Sequence, residues 1–428
     1  MTATPAATPC HRCHDPDGSG GGLDPRGRSR RRLLVGAGAA GLALGTGLGR
    51  ARVSFAAQPG GGTLVVLFLR GGMDGLSALV PVGDPHLAAA RPDIAVPASA
   101  ALPLDRTWGL HPALSSLHQL WRDGRCAAVP AVSTPDISRS HFQAQDCLER
   151  GGSATGATSG WLNRALESAG PGTPLQALTV GKSTVRSLVG ERPTTSLRAL
   201  DALSLRIGDE ARRGRAVEAL RALHEGVDHP LAADARTAVD AMGAAQLAAA
   251  VAPEPGADYP DDDLGTQLRD VARLVKADVG LRVACIDVGG WDTHVGQGTV
   301  DGGTMADRLG MLDRALDAFV ADLGPAGDAV TVVVMTEFGR RVEQNASRGT
   351  DHGHGATVLL VGGGLAGGRV HGTWHGLAPE VLDDGDVPGW NDYRDVLAEV
   401  VTMRLGVPAG SLGDVFPGHR PQPLGVTA

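Results

Sequence analysis

Val330-Thr331-Val332-Val333-Val334-Met335 is an apolar run that passes without a break into Thr336-Glu337-Phe338-Gly339-Arg340. A run this short, rich in β-branched residues and closed by a glycine, reads as a strand buried on both faces, as in a parallel sheet. Glu337 then stands just past the carboxyl end of that strand. In an open α/β sheet the loops at strand carboxyl ends are where ligands collect. Asp351-His352-Gly353-His354 follows within one loop's reach, so more carboxylate and imidazole groups are expected at the same end.

Two further segments repeat the pattern. Thr63-Leu64-Val65-Val66-Leu67-Phe68-Leu69 opens into Arg70-Gly71-Gly72-Met73-Asp74-Gly75, and Val283-Ala284-Cys285-Ile286-Asp287-Val288 leads to Gly289-Gly290-Trp291-Asp292-Thr293-His294. The paired glycines allow tight turns and close backbone approach. Strand signals at 126–132, 175–180 and 357–361 alternate with helical patterns at 111–121, 140–149, 160–167, 305–323 and 392–405. Alternation of this kind predicts an α/β fold, a mainly parallel sheet sandwiched by helices. Residues 195–280 differ: amphipathic stretches at 211–225, 231–251 and 264–278 with no strand signal predict a helical insertion, either structural bulk or a cap over the site.

The chain has 428 residues and a formal net charge of −8. Residues 1–56 carry eight Arg against Asp15, Asp17 and Asp24, a net of +5, which leaves −13 on the rest. An acidic body without a basic stripe argues against a nucleic-acid partner, because phosphate-backbone binding needs clustered Lys and Arg.

The basic leader has its own reading. Ser29-Arg30-Arg31-Arg32-Leu33-Leu34 resembles the twin-arginine export motif, a Gly/Ala-rich apolar stretch covers 33–48, and Ser54-Phe55-Ala56 offers small residues for cleavage. Sixteen glycine-rich residues are short for a membrane span. The expectation is a leader over 1–56, removed on export to the periplasm or beyond, and one α/β domain over 57–428 with no stable span. Cys10-His11-Arg12-Cys13-His14 matches the haem c attachment pattern in letters but precedes the export signal, so no haem is expected. Cys126, Cys147 and Cys285 remain, and a Cys126–Cys147 disulfide is one option.

Asp74, Asp292, His294, Glu337, Asp351, His352 and His354 are the candidate metal ligands. Carboxylate oxygens with imidazole nitrogens suit zinc or manganese first, calcium or magnesium next. The plainer alternatives are a turn-capping Asp351 and an Asp74 engaged in ordinary Asp–Gly turn chemistry. Ser138 and then Ser140 are the candidate nucleophiles, at the turn between a strand and the helix carrying His141, which is itself a candidate catalytic group. Arg139 is placed to clamp an anionic oxygen. Ser138 could instead simply cap that helix.

Five motifs together, Leu69-Arg70-Gly71-Gly72-Met73-Asp74-Gly75-Leu76, Arg139-Ser140-His141-Phe142-Gln143-Ala144-Gln145, Gly290-Trp291-Asp292-Thr293-His294, Thr336-Glu337-Phe338-Gly339-Arg340 and Thr350-Asp351-His352-Gly353-His354-Gly355, resemble a bacterial export family known as domain of unknown function 1501. That family is grouped with the alkaline-phosphatase-like superfamily. The resemblance implies an alkaline-phosphatase or sulfatase-like fold and a metal-dependent hydrolase of phosphate or sulfate esters, acting on a small anionic ester or glycan. It also implies Asp74 as the carboxylate after the first strand and Asp292 with His294 as a later ligand pair. Glu337 stands where the superfamily usually has Asp followed by His, and Phe338 takes the His position. The alternative is a non-catalytic metal-binding or assembly protein on the same fold.

Overall fold

The computed structural model describes residues 61–152, 157–181, 184–203 and 207–428. The export leader, the Cys10–His14 motif and its haem reading, and the cleavage position after Ala56 lie outside the described residues.

Three central strands form as read: β1 (Thr63–Leu69), β5 (Val283–Val288) and β6 (Val330–Met335), with β2 (Cys126–Ser133), β3 (Ala177–Val180) and β9 (Ala356–Gly362) around them. β1 lies between β5 and β6 and is parallel to both; Phe68 faces Asp287 on one side and Met335 on the other. Outward, β3 and then β4 (Thr195–Leu197) continue past β5 in parallel. On the other flank β9 runs antiparallel to both β6 and β2. The reason is connectivity: the 337–355 segment, with its own hairpin, lies between the carboxyl end of β6 and the start of β9 and does not cross back over the sheet, so β9 points back. Its start, Ala356, therefore pairs with Val132 near the end of β2. The carboxyl ends of β1, β2, β5 and β6 and the amino end of β9 all meet at one edge.

Side-chain alternation explains why this sheet is covered on both faces. In β1, Val65, Leu67 and Leu69 enter one apolar cluster, whereas Leu64, Val66 and Phe68 enter another. The first cluster is closed by α1 (Ser115–Arg122) through Leu117 and Leu120, α6 (Asp263–Lys276) through Leu268 and Val271, and α7 (Thr304–Leu323) through Leu312 and Phe319. The second is closed by α3 (Trp161–Ser168) through Leu162 and Leu166 and by α8 (Tyr393–Leu405) through Val400 and Val401. Each fully buried side chain of this size contributes about 1.5–3 kcal/mol, so a strand buried on both faces anchors the fold.

The stretch after residue 195 is mostly helical, with α4 (Glu210–His224) and α5 (Pro230–Ala249) preceding α6. It is not free of strand, since β4 at Thr195–Leu197 extends the sheet edge. Its three residues are too few to show a period-two pattern. Residues 337–355 are likewise more ordered than a loop: β7 (Arg340–Gln344) and β8 (Thr350–His352) form an antiparallel hairpin. Cys126, Cys147 and Cys285 are free and buried, so Cys126 and Cys147 form no disulfide. No helix among the described residues is long and apolar enough to cross a membrane.

Candidate metal centre

His141 opens α2 (His141–Arg150), the helix entered from the loop beyond β2. Asp292 and His294 ride the loop after β5, and His352 closes β8. The four side chains converge. His294 Nε2 lies 2.9 Å from His352 Nε2 and 3.1 Å from Asp292 Oδ1. His352 Nε2 is 3.3 Å from Asp292 Oδ1, and His141 Nε2 is 3.6 Å from Asp292 Oδ2. His141, Asp292 and His352 offer ligand atoms all within 4.8 Å of one another.

Each imidazole is held from behind by an oxygen. His141 Nδ1 donates to Glu337 Oε1 at 2.7 Å, His294 Nδ1 to Asp351 Oδ1 at 2.9 Å, and His352 Nδ1 to the Arg139 carbonyl at 2.9 Å. In the neutral rings a proton on each Nδ1 leaves Nε2 as the lone-pair nitrogen, the arrangement by which carboxylate and carbonyl oxygens orient histidines that bind metal. His141 Nε2 is buried and has no hydrogen-bond partner. Arg139 supplies its carbonyl from a left-handed backbone, φ 54°, a conformation that costs a non-glycine residue energy and turns the peptide toward His352.

Electrostatics follow from these partners. Burial alone would raise the Glu337 carboxyl, but hydrogen bonds from His141, Gln145 and the Gly71 amide outweigh it and hold the group at about 2. The Glu337 hydrogen bond and charge raise the His141 imidazole. Burial, helped by the Arg340 and His141 charges, lowers His352, which favours its neutral, ligating form. For Asp292, burial pushes upward but the Arg340 contact wins and keeps the carboxylate ionised.

The donor set fits a divalent ion. Ligands about 2.0–2.2 Å from a tetrahedral ion stand roughly 3.3 Å apart, and the observed separations bracket that value. Phe338 packs its ring against His141 at 4.8 Å and His352 at 4.7 Å, so this side chain braces two imidazoles.

The remaining expected residues sit elsewhere. Glu337 and Asp351 stand behind the imidazoles as orienting oxygens, with Glu337 engaged by Gly71, Gln145, His141 and Thr336. Asp74 is fully buried in a bidentate pair with Arg91, at 2.6 and 3.0 Å; the expectation of a metal ligand there gives way because its oxygens are taken. His354 turns away, its Nε2 3.3 Å from the Thr134 carbonyl. The Ser138 hydroxyl donates to Asp136 in a local turn, and Ser140 begins α2 without a side-chain cap bond. The Arg139 guanidinium pairs with Asp386 at 2.6 Å, so it is no free anion clamp. Arg340 is buried too, donating to the Gly72 and Thr350 carbonyls and to Asp292 at 2.6 Å.

Some contributors escaped the sequence reading. His141, a candidate catalytic group by sequence, lies instead among the candidate ligands; the helical spacing of His141 and Gln145, four apart on one face, is the available signal. The Arg139 carbonyl left no signal, because any residue has one. Gly71 makes the close backbone approach expected of the paired glycines: at φ 122° a Cβ there would come 2.6 Å from the Asp292 amide, so glycine lets the β1 loop pack on the loop carrying Asp292 and His294.

The family model described as protein of unknown function (DUF1501) matches residues 125–394. No curated protein matches the chain. Among solved structures, a Bacteroides thetaiotaomicron protein assigned provisionally as a sulfatase aligns at 9% identity and TM-score 0.33, over 71% of this chain and 65% of its own length. A sulfatase from Pseudoalteromonas sp. aligns at 13% identity and TM-score 0.37, over 81% of this chain and 68% of its own. A 2-O GAG sulfatase aligns at 10% identity and TM-score 0.27, over 71% and 65%. The chain thus spans about two thirds of each. Scores this low carry no statement about activity, and the α/β assignment rests on the strand order above.

Proposed function

The chain belongs to the DUF1501 family, and we propose that within it this protein is an exported, metal-dependent hydrolase of phosphate or sulfate esters. The observation that carries the reading is the meeting of His294 Nε2 and His352 Nε2 at 2.9 Å with both Nδ1 protons committed elsewhere. Two lone pairs so close repel unless a cation or a proton lies between them, and Asp292 with the unpartnered His141 Nε2 supplies the further donor atoms that a divalent ion would use. A divalent ion bound there would polarise an ester oxygen and offset charge in the transition state. Zinc or manganese suits the nitrogen-rich set.

The protein's own residues hold that centre. Glu337, Asp351 and the Arg139 carbonyl fix the ring orientations, Arg340 fixes Asp292, and Phe338 keeps water from one side of the His141 and His352 rings. Asp292 and His294 remain partly exposed, which leaves an open side for an anionic ester. Export through the twin-arginine pathway belongs to the same reading and is supported by Arg30-Arg31-Arg32 and the apolar stretch behind them.

The test is a titration of metal-free protein with zinc and manganese, followed by a screen of aryl phosphate and aryl sulfate esters with each ion. Hydrolysis that depends on the ion and disappears in His352→Ala supports the reading. Binding of the ion without turnover of any ester would favour the second reading, a metal-binding or assembly protein on this fold.

A further inference from the structure

We infer that Gln297 and Asp74 are positioning residues that set the spacing between the two chain segments carrying Asp292, His294 and His352; the inference rests on the metal reading above. Gln297 is 1% exposed, yet it is polar at both ends of its amide. Its Oε1 accepts from the Thr293 hydroxyl at 2.9 Å and from the Thr350 hydroxyl at 3.0 Å. Thr293 sits between Asp292 and His294, and Thr350 lies two residues before His352. A single amide oxygen thus ties the ligand loop after β5 to the ligand strand β8. The backbone adds three bonds between the same segments, from the Thr350 amide to the Thr293 carbonyl at 3.1 Å, from the Gly296 amide to the Ser347 carbonyl at 2.9 Å and from the Gln297 amide to the Arg348 carbonyl at 2.8 Å, and the side-chain amide is the one link that also reaches Asp74.

The other end of the amide is anchored just as firmly. Gln297 Nε2 donates to Asp74 Oδ2 at 2.6 Å, and Ser77 Oγ donates to the same oxygen at 2.6 Å. Arg91 grips both Asp74 oxygens and also donates to the Val342 carbonyl at 2.8 Å and the Arg341 carbonyl at 2.9 Å, so β7 is held by the same carboxylate. Asp74 is therefore the hub of a buried network in which each donor has an acceptor, and such networks are rigid when complete and costly when broken. With a carboxylate on one side and two hydroxyl donors on the other, only one amide orientation satisfies the network. That orientation is fixed before any ion arrives.

Gln297→Leu removes both connections at nearly constant volume, and the Thr293→Val/Thr350→Val pair removes only the link to the ligand segments. Zinc affinity is read by competition with a chromophoric chelator, and Co²⁺ absorption reports ligand geometry. The expected result is zinc binding weakened by about 10- to 100-fold, the range typical for outer-shell changes, with an altered Co²⁺ spectrum. Asn163→Leu is the control: Asn163 is equally buried but bonds the Leu188 and Arg192 carbonyls, so it should lower thermal stability and leave zinc affinity at the wild-type value. Wild-type affinity and spectrum in Gln297→Leu would overturn the inference while leaving the metal reading intact. Should that variant fail to fold, the threonine pair decides in the same way. Absence of zinc binding in the wild-type protein would overturn both.

Discussion

His141 Nδ1 and Glu337 Oε1, 196 positions apart in sequence, meet at 2.7 Å and join the first turn of α2 to the second residue after β6. The contact orients His141 Nε2 toward Asp292 and makes the imidazole more basic. Glu337→Gln keeps the shape but weakens the acceptor, so metal affinity should fall by about 10- to 100-fold. The sign of the pH effect is separate. Glu337 raises the His141 imidazole, so protons compete with the ion from a higher pH than they would at an ordinary imidazole. In Glu337→Gln that competition begins at lower pH, so the affinity gap between the two proteins should narrow as pH falls. Titrations of bound zinc against pH in both proteins check both statements.

His111 gives a pH effect in the fold itself. It is 2% exposed, its Nδ1 accepts the Ala113 amide at 3.1 Å, and burial, partly opposed by the Asp74 charge, depresses it to about 4. Between the ordinary imidazole range and about 4 the unfolded chain binds the extra proton, so stability falls as pH falls through that window and levels off below it. The loss is at most about 3 kcal/mol by the usual conversion. His111→Asn should flatten this limb in urea-unfolding midpoints measured from pH 7 to 4.5. An unchanged difference from wild type across that range would count against a neutral, buried His111.

Ser138 is exposed and bonded to Asp136. Ser138→Ala should leave zinc affinity unchanged and shift unfolding free energy by no more than about 0.5 kcal/mol, as for ordinary surface positions. Loss of ester hydrolysis with metal retained would instead assign the hydroxyl a catalytic role.

Leu67 lies in the middle of β1 with no exposure. Leu67→Ala should cost about 2–5 kcal/mol in unfolding free energy, from lost burial and the cavity left behind.

The central strands were legible because each is a short, β-branched-rich apolar run followed within four residues by glycine, too short for a helix of ordinary length. The placement of β9 as antiparallel was not legible, since an apolar run carries no direction. Asp292, His294 and His352 were picked out by their loops, where carboxylate and imidazole stand beside glycine. Asp74 shared that local signature and yet pairs with Arg91. The difference lies in a guanidinium 17 positions away, and local pattern cannot see it. Gln297 was invisible for a related reason: a lone Gln in a loop says nothing until its partners at 74, 293 and 350 are brought around it.

The most direct measurement is metal content by mass spectrometry on protein purified without a metal-binding tag, comparing wild type with Asp292→Ala/His294→Ala. Close to one equivalent of zinc or manganese in the wild type and its loss in the double variant is the predicted result. A wild-type protein that holds no ion after exposure to zinc, manganese and calcium would contradict the metal centre and the hydrolase built on it.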